Sequence, residues 1–224
     1  MIQGIVFDMD GLLFDTERLA IEGSLIGARQ MGLPLSEEVV VSTLGCTAAD
    51  TGEIYRRALG REFDHAALHR FYHDYIEEQI ELHGMPLMPG VVELLEELAR
   101  RGLPAAVATS SRSAVAERHF ARCGLRHHFA ALIGGDMVEH GKPAPDIYLA
   151  ACAALELPPE RCMALEDSRN GILAARAAGL YTVMIPDLLQ PDEELRPHCH
   201  AILPSLHEVI ALLERRPSAE MIFN

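Results

Sequence analysis

Four carboxylates, one hydroxyl and one lysine stand where short apolar runs give way to polar residues. Asp8 and Asp10 follow the run Ile2 to Phe7, in FDMDG. Thr109 closes the apolar part of AVATSS, and Glu166 and Asp167 follow Cys162 to Leu165, in MALEDS. Lys142 lies between them, in HGKPAPD. Carboxylates crowded at one point repel each other unless a cation intervenes. A few hard oxygen ligands suit Mg2+, which keeps several waters and often shares a substrate phosphate. Lys142 and the Thr109 hydroxyl can hold other phosphate oxygens, and the backbone N–H groups of Ser110 and Ser111, opening a helix, can add donors. One carboxylate then remains to attack phosphorus. A neighbouring acid protonates the leaving oxygen and afterwards activates water. Spacing alone does not say which of Asp8 and Asp10 takes which part. Taken singly, each residue has a plainer reading. An Asp after a strand makes a turn or a helix cap, and so does Thr109, while a lysine is ordinarily a solvated surface residue.

The elements that must position these residues alternate. Strands are expected at Ile2 to Phe7, Pro104 to Ala108, Ala131 to Ile133, Cys162 to Leu165 and Tyr181 to Ile185. Helices are expected at Thr16 to Met31, Val91 to Arg101, Ser113 to Cys123, Pro145 to Leu155 and Arg169 to Ala178. Several of them stop at a glycine. Strands apolar on both faces, alternating with helices, imply an α/β fold: a Rossmann-like, three-layer core around a parallel sheet. Ligands of such sheets bind beyond the carboxyl ends of the strands, where the six residues lie. Between Ser36 and Gly84 only helices are expected, and the stripe Phe71, Tyr75, Ile76, Ile80 reads as packing. The block 15–86 therefore interrupts the alternating series as an inserted helical domain. A core of 1–14 and 87–224 is left.

The chain of 224 residues carries 19 Lys+Arg against 33 Asp+Glu, a net charge of −14. Such a charge disfavours nonspecific binding to nucleic acid or anionic membrane. No uninterrupted apolar run reaches 18 residues, and the N-terminus lacks the basic region of a secretory signal. The five cysteines are odd in number and form no CxxC pair, so a reduced, cytoplasmic setting is expected. A monomer is the default expectation. The segment His198-Cys199-His200 reads as a polar loop after Pro197 rather than as metal ligands. The stretch from Arg215 onward has no pattern and is expected to fray.

These motifs resemble those of the haloacid dehalogenase-like hydrolases over nearly the whole chain. FDMDGLLFDTE is similar to the first motif of that superfamily, AVATSS to the second, GKPAPD to the third and LEDSRNG to the fourth. The inserted helices resemble its small helical cap. The resemblance implies that Asp8 is the nucleophile and Asp10 the general acid/base. It implies Mg2+ held by the Asp8 carboxylate, the Asp10 backbone carbonyl and Asp167, with Glu166 nearby or ligating through water. Thr109, Lys142 and the Ser110 amide would hold the phosphoryl group. The cap would close over the site and choose the leaving group, on hinges near Asp15 and Pro86 to Pro89.

Within the superfamily the motifs resemble the β-phosphoglucomutase and pseudouridine-5′-phosphatase branch. The mutases carry a His about ten residues after the general acid, where this chain has Ala20. They also carry a cap-loop Arg for a second phosphate, which aligns with Ala48 in LGCTAAD. Both departures favour hydrolysis, because a missing cation weakens the grip on a bisphosphate. Asp10 itself counts against a dehalogenase. The expectation is a phosphatase acting on a small phosphorylated metabolite, such as a sugar phosphate or a nucleotide-like compound. The alternatives are a mutase and a non-catalytic binding protein of the same fold. Arg56, Arg57, His65, His69, His73 and His83 in the cap are candidate substrate contacts, with exposed helix positions as the plainer reading.

Overall fold

The computed structural model describes residues 2–44, 46 and 48–215. The expectation for the tail falls almost wholly outside them. The chain divides into two compact units, one of residues 1–14 and 87–224 and one of residues 15–86.

The larger unit is built on a six-stranded parallel sheet. Its strands are β1 (Gly4–Phe7), β2 (Ala105–Thr109), β3 (Ala131–Gly134), β4 (Cys162–Glu166), β5 (Tyr181–Met184) and β6 (Ala201–Ile202), in the order β3-β2-β1-β4-β5-β6. Every residue of β1, β2, β4 and β5 is buried. That is the physical reason their sequences are apolar without alternation. The two-residue β6 closes one edge. No strand was expected there, because two residues carry no readable period.

Side chains leave each strand alternately to the two faces. On one face Val6, Ala106, Ala108 and Ala164 pack against two helices. These are α7 (Asp146–Ala154), through Ile147 and Ala151, and α8 (Arg169–Ala177), through Ala174 and Ala175. Alanine on both sides lets helix and sheet approach closely. From the other face Phe7 meets Phe129 edge-on at 5.7 Å, and Phe129 meets Phe120 at 5.0 Å. Phe120 belongs to α6 (Ser113–Cys123). Helix α5 (Val91–Arg101) buries Val91, Leu94, Leu95 and Leu98, one stripe at helical spacing, and packs with α9 (Leu206–Arg215).

The smaller unit holds α1 (Thr16–Gln30), α2 (Glu37–Val41), α3 (Ala48–Leu59) and α4 (His65–His83). Helices α1 and α4 form its main pair. Gly23 and Gly27 face α4 so closely that a Cβ on Gly27 would lie 2.6 Å from the Phe71 ring. Ile76 and Ile80 are buried, in keeping with a packing stripe. All five cysteines are unbridged. No helix among the described residues is long and apolar enough to cross a membrane. The expected polar loop at His198-Cys199-His200 is filled by structural bonds. Thr182 N–H donates to His200 Nδ1 at 2.9 Å, and the His200 ring stacks on Tyr181 at 4.6 Å.

Candidate active site

The sheet reverses its winding at β1. The chain runs β1, β2, β3 to one side and then crosses to β4 on the other. The crevice at the carboxyl ends of β1 and β4 is the switch point where such sheets take ligands. Asp8 follows β1, and its N–H donates to Leu165 O at 3.0 Å, carrying the β1–β4 ladder one residue further. The next residues fold back: Leu13 N–H and Phe14 N–H both reach Met9 O, at 2.9 and 3.0 Å. Gly11 permits this turn with φ +83°, a conformation that side-chain-bearing residues rarely adopt. Glu166 ends β4 and Asp167 follows it. Lys142 comes from the loop between β3 and α7, ahead of a cis Lys142–Pro143 peptide.

Asp8, Lys142, Glu166 and Asp167 are all buried. The Lys142 ammonium donates at 2.5 Å to Asp8 Oδ1 and at 2.5 Å to Glu166 Oε1. Glu166 is held from every side. Its Oε1 also accepts from the Tyr148 hydroxyl at 2.8 Å, and its Oε2 accepts from Asp167 N–H at 3.0 Å and from Ser168 N–H and Oγ–H at 2.9 Å each. Ser168 Oγ in turn caps α8 by accepting from Gly171 N–H at 3.1 Å. A Cβ on Gly171 would run into the Glu166 carboxylate. Gly171→Ala is therefore expected to lower stability by about 1–3 kcal/mol, the range for overpacking a full interior. It also displaces Glu166 and with it Lys142, so thermal melting and turnover should fall together. A variant with wild-type melting would show that Glu166 has room to move.

Burial opposes charge on both partners of the Asp8–Lys142 pair, with different outcomes. At Asp8 burial outweighs the nearby ammonium and pushes the carboxyl up to about 7. At Lys142 burial works to lower the pKa, but the Asp8 and Glu166 carboxylates overcome it and hold the amine above its ordinary range. Burial and the Glu166 charge raise the Tyr148 phenol, so it stays a donor.

Oxygens of Asp8, Glu166 and Asp167 lie within 4.8 Å of one another. Three buried carboxylates gather here and one ammonium binds two of them, so the cluster has room for positive charge. Its hard oxygen donors are those that a small divalent cation such as Mg2+ takes. The residues present fit the group.

A second set adjoins the first in sequence. Thr109, buried at the end of β2, accepts on Oγ1 from Ser111 N–H at 3.0 Å. Ser111 Oγ–H donates to Asp10 Oδ2 at 2.8 Å. Here the structure departs from the sequence reading. The Ser111 amide is taken by Thr109, although α6 begins at Ser113 as expected, with the Ser113 N–H bound by Asp136 at 2.7 Å. Ser111 acts through its hydroxyl instead. Ser110 is exposed, and among the described residues no side-chain hydrogen bond joins it to these sets. Sequence reasoning missed Tyr148, Ser168 and the Ser111 hydroxyl. Ser168 has a local signal, the cap position three residues before Gly171, whereas Tyr148 has none, since only the fold turns its hydroxyl to Glu166.

A family model for haloacid dehalogenase-like hydrolases matches residues 5–185. The chain belongs to that family. Among its relatives, the phosphorylated carbohydrates phosphatase of Thermotoga maritima is 33% identical over 81% of this chain and 84% of its own length. The probable pseudouridine-5′-phosphatase of Drosophila melanogaster is 32% identical over 90% of this chain and 88% of its own. The crystal structure of CbbY from Rhodobacter sphaeroides in complex with phosphate superposes with a TM-score of 0.78. It is 31% identical and covers 93% of this chain and 96% of its own. The α/β fold and the phosphatase class expected from the sequence of this dehalogenase-like hydrolase are borne out.

Proposed function

We propose that this hydrolase splits small phosphomonoesters, sugar phosphates or nucleotide-like metabolites, through an aspartyl-phosphate on Asp8. The observation that carries the reading is the buried Lys142 ammonium, bound at once to Asp8 and Glu166 beside Asp167. Such a fixed positive charge offsets the repulsion when a phosphate dianion approaches an anionic nucleophile, which supports the reading. Phosphatase relatives support the same reading.

In this reading an Asp8 carboxylate oxygen attacks phosphorus, and the bond from phosphorus to the leaving oxygen breaks. Asp10 gives that oxygen its proton. Water then attacks the acyl phosphate, Asp10 takes the water proton, and inorganic phosphate leaves with Asp8 restored. Lys142 and the Thr109 hydroxyl hold phosphoryl oxygens, with the Ser110 amide as a further donor. Asp8, the Asp10 carbonyl and Asp167 would hold Mg2+, which when bound supplies positive charge against the phosphoryl oxygens. Glu166, with both oxygens occupied by donors, serves to aim Lys142. The helical unit 15–86 is the cap that selects the leaving group, and the protein acts as a cytoplasmic monomer without nucleic-acid or membrane partners.

Phosphate release is to be measured over a panel of sugar phosphates, nucleotides, pseudouridine monophosphate and phosphoglycolate, with Mg2+ and with chelator. Release from one class, lost with chelator, is the expected result. Bisphosphate-dependent isomerisation of a sugar phosphate with no release would replace hydrolysis by mutase chemistry.

Ser111 holds the acid Asp10. Ser111→Ala is expected to lower kcat roughly ten-fold with KM little changed, since acid–base assistance as a whole is worth about 10²–10⁴-fold. Wild-type kcat in this variant would remove Ser111 from the positioning of Asp10.

A further inference from the structure

The face of α4 carries a column of imidazoles that the hydrolytic reading does not use. His65, His69 and His73 follow at four-residue spacing, so each stands one turn above the last. The His65 and His69 rings lie 5.9 Å apart and the His69 and His73 rings 4.3 Å apart, between centroids. Nε2 of His69 and Nε2 of His73 face each other at 3.3 Å. Tyr72 stacks on His73 at 4.4 Å and meets His69 edge-on at 5.0 Å, which limits the rotation of both rings. The expectation of exposed histidines is not met here, as His69 and His73 are half-buried.

We propose that His69 and His73 form a binding site for a borderline divalent cation of the Zn2+ type. Neutral imidazole is a favoured ligand of such ions. With Zn–N bonds of about 2.0–2.1 Å, a tetrahedral angle sets two ligand nitrogens roughly 3.3–3.4 Å apart. The observed spacing of 3.3 Å matches that separation. In the metal-free chain one Nε2–H points to the lone pair of the other ring. With both rings protonated on Nδ1 instead, a small turn of the rings brings both Nε2 lone pairs onto one ion. The helix fixes the two ligands before binding, so little ordering entropy opposes it, and water completes the coordination. Both protein donors are nitrogen, which separates this site from the oxygen cluster of Asp8, Glu166 and Asp167.

The test uses the full chain stripped of metal and then given Mg2+. Zn2+ is titrated in competition with a chromophoric chelator into the wild type, His69→Gln, His73→Gln and the control His83→Gln. Zn2+ taken by the carboxylate cluster is common to all four and cancels. Losing a direct ligand costs no less than losing its outer partner, about 10–100-fold. His69→Gln and His73→Gln are therefore each expected to weaken one Zn2+ equivalent by at least about ten-fold, with His83→Gln unchanged. In parallel, the ring ¹⁵N signals of His69 and His73 in the wild type are expected to shift as Zn2+ is added. Equal Zn2+ binding by all four proteins overturns the site. Should a variant fail to fold, the wild-type ring signals decide, and unmoved His69 and His73 resonances overturn it as well.

Discussion

Asp8→Asn is expected to abolish Mg2+-dependent phosphate release, by roughly 10⁴-fold or more, while the protein stays folded. The amide keeps the shape of the carboxyl and can still accept from Lys142, but it is no nucleophile toward phosphorus. Stability should not suffer. Asp8 is one of three clustered buried carboxylates, two of which share a single ammonium, and burial already pushes its carboxyl up to about 7. Removing that charge removes a repulsion, so the metal-free variant should melt no lower than the metal-free wild type. Circular dichroism, thermal melting and a phosphate-release assay on one preparation check both halves. A folded Asp8→Asn protein with wild-type turnover would end the aspartyl-phosphate mechanism. Loss of turnover together with loss of fold would instead make Asp8 a structural residue.

Lys142→Met should damage both stability and activity, for one electrostatic reason. Methionine keeps much of the apolar stem and discards the charge. Asp8 and Glu166 are then left buried without the ammonium that each meets at 2.5 Å. Breaking a buried pair by removing one partner costs about 3–5 kcal/mol, because the other charge stays unpaired. Turnover should fall by at least about 10²–10³-fold, the loss seen when one fixed donor to a developing charge is removed. Glu166 retains Tyr148, Ser168 and the Asp167 amide, so the larger change falls on Asp8. A cation bound to the same carboxylates should partly replace the missing charge. Mg2+ is accordingly expected to raise the melting temperature of Lys142→Met more than that of the wild type. Arginine should not rescue turnover, since its planar fork does not fit a space built for one nitrogen between two carboxylates. Equal melting of Lys142→Met and wild type would show that the cluster does not depend on this ion pair.

Much of the architecture is legible because its causes are local. A run such as GIVF or AVAT is apolar throughout only where both faces of a sheet are covered, and a glycine after a helix frees the chain to turn. The residues Asp8, Thr109, Glu166 and Asp167 are therefore readable as a group, each being the residue at or just past the end of a strand. The start of α6 at Ser113 was readable as a position, but the group that fixes it was not. Asp136, 23 residues further on, binds the Ser113 amide and hydroxyl and sets the first turn there. The edge strand β6 escaped for another reason: its two residues pair with β5 but carry no period.

By itself the sequence determined the residue types, their order and their places along an alternating chain. From these follow a parallel sheet, a rim of carboxylates and a lysine, and a resemblance to one family of hydrolases. Tertiary structure alone decided what each group meets. Lys142 could have been a solvated surface lysine, yet it is buried between Asp8 and Glu166. Glu166 could have faced water at its strand end, yet Lys142, Tyr148, Ser168 and two backbone amides occupy its oxygens. Ser111 could have lent its amide to an anion, yet that amide belongs to Thr109 and its hydroxyl to Asp10. The physical reason is the same each time. A strand or helix is dictated by neighbours in sequence, whereas a buried charge is defined by partners up to 134 residues away, brought together only by the packed fold.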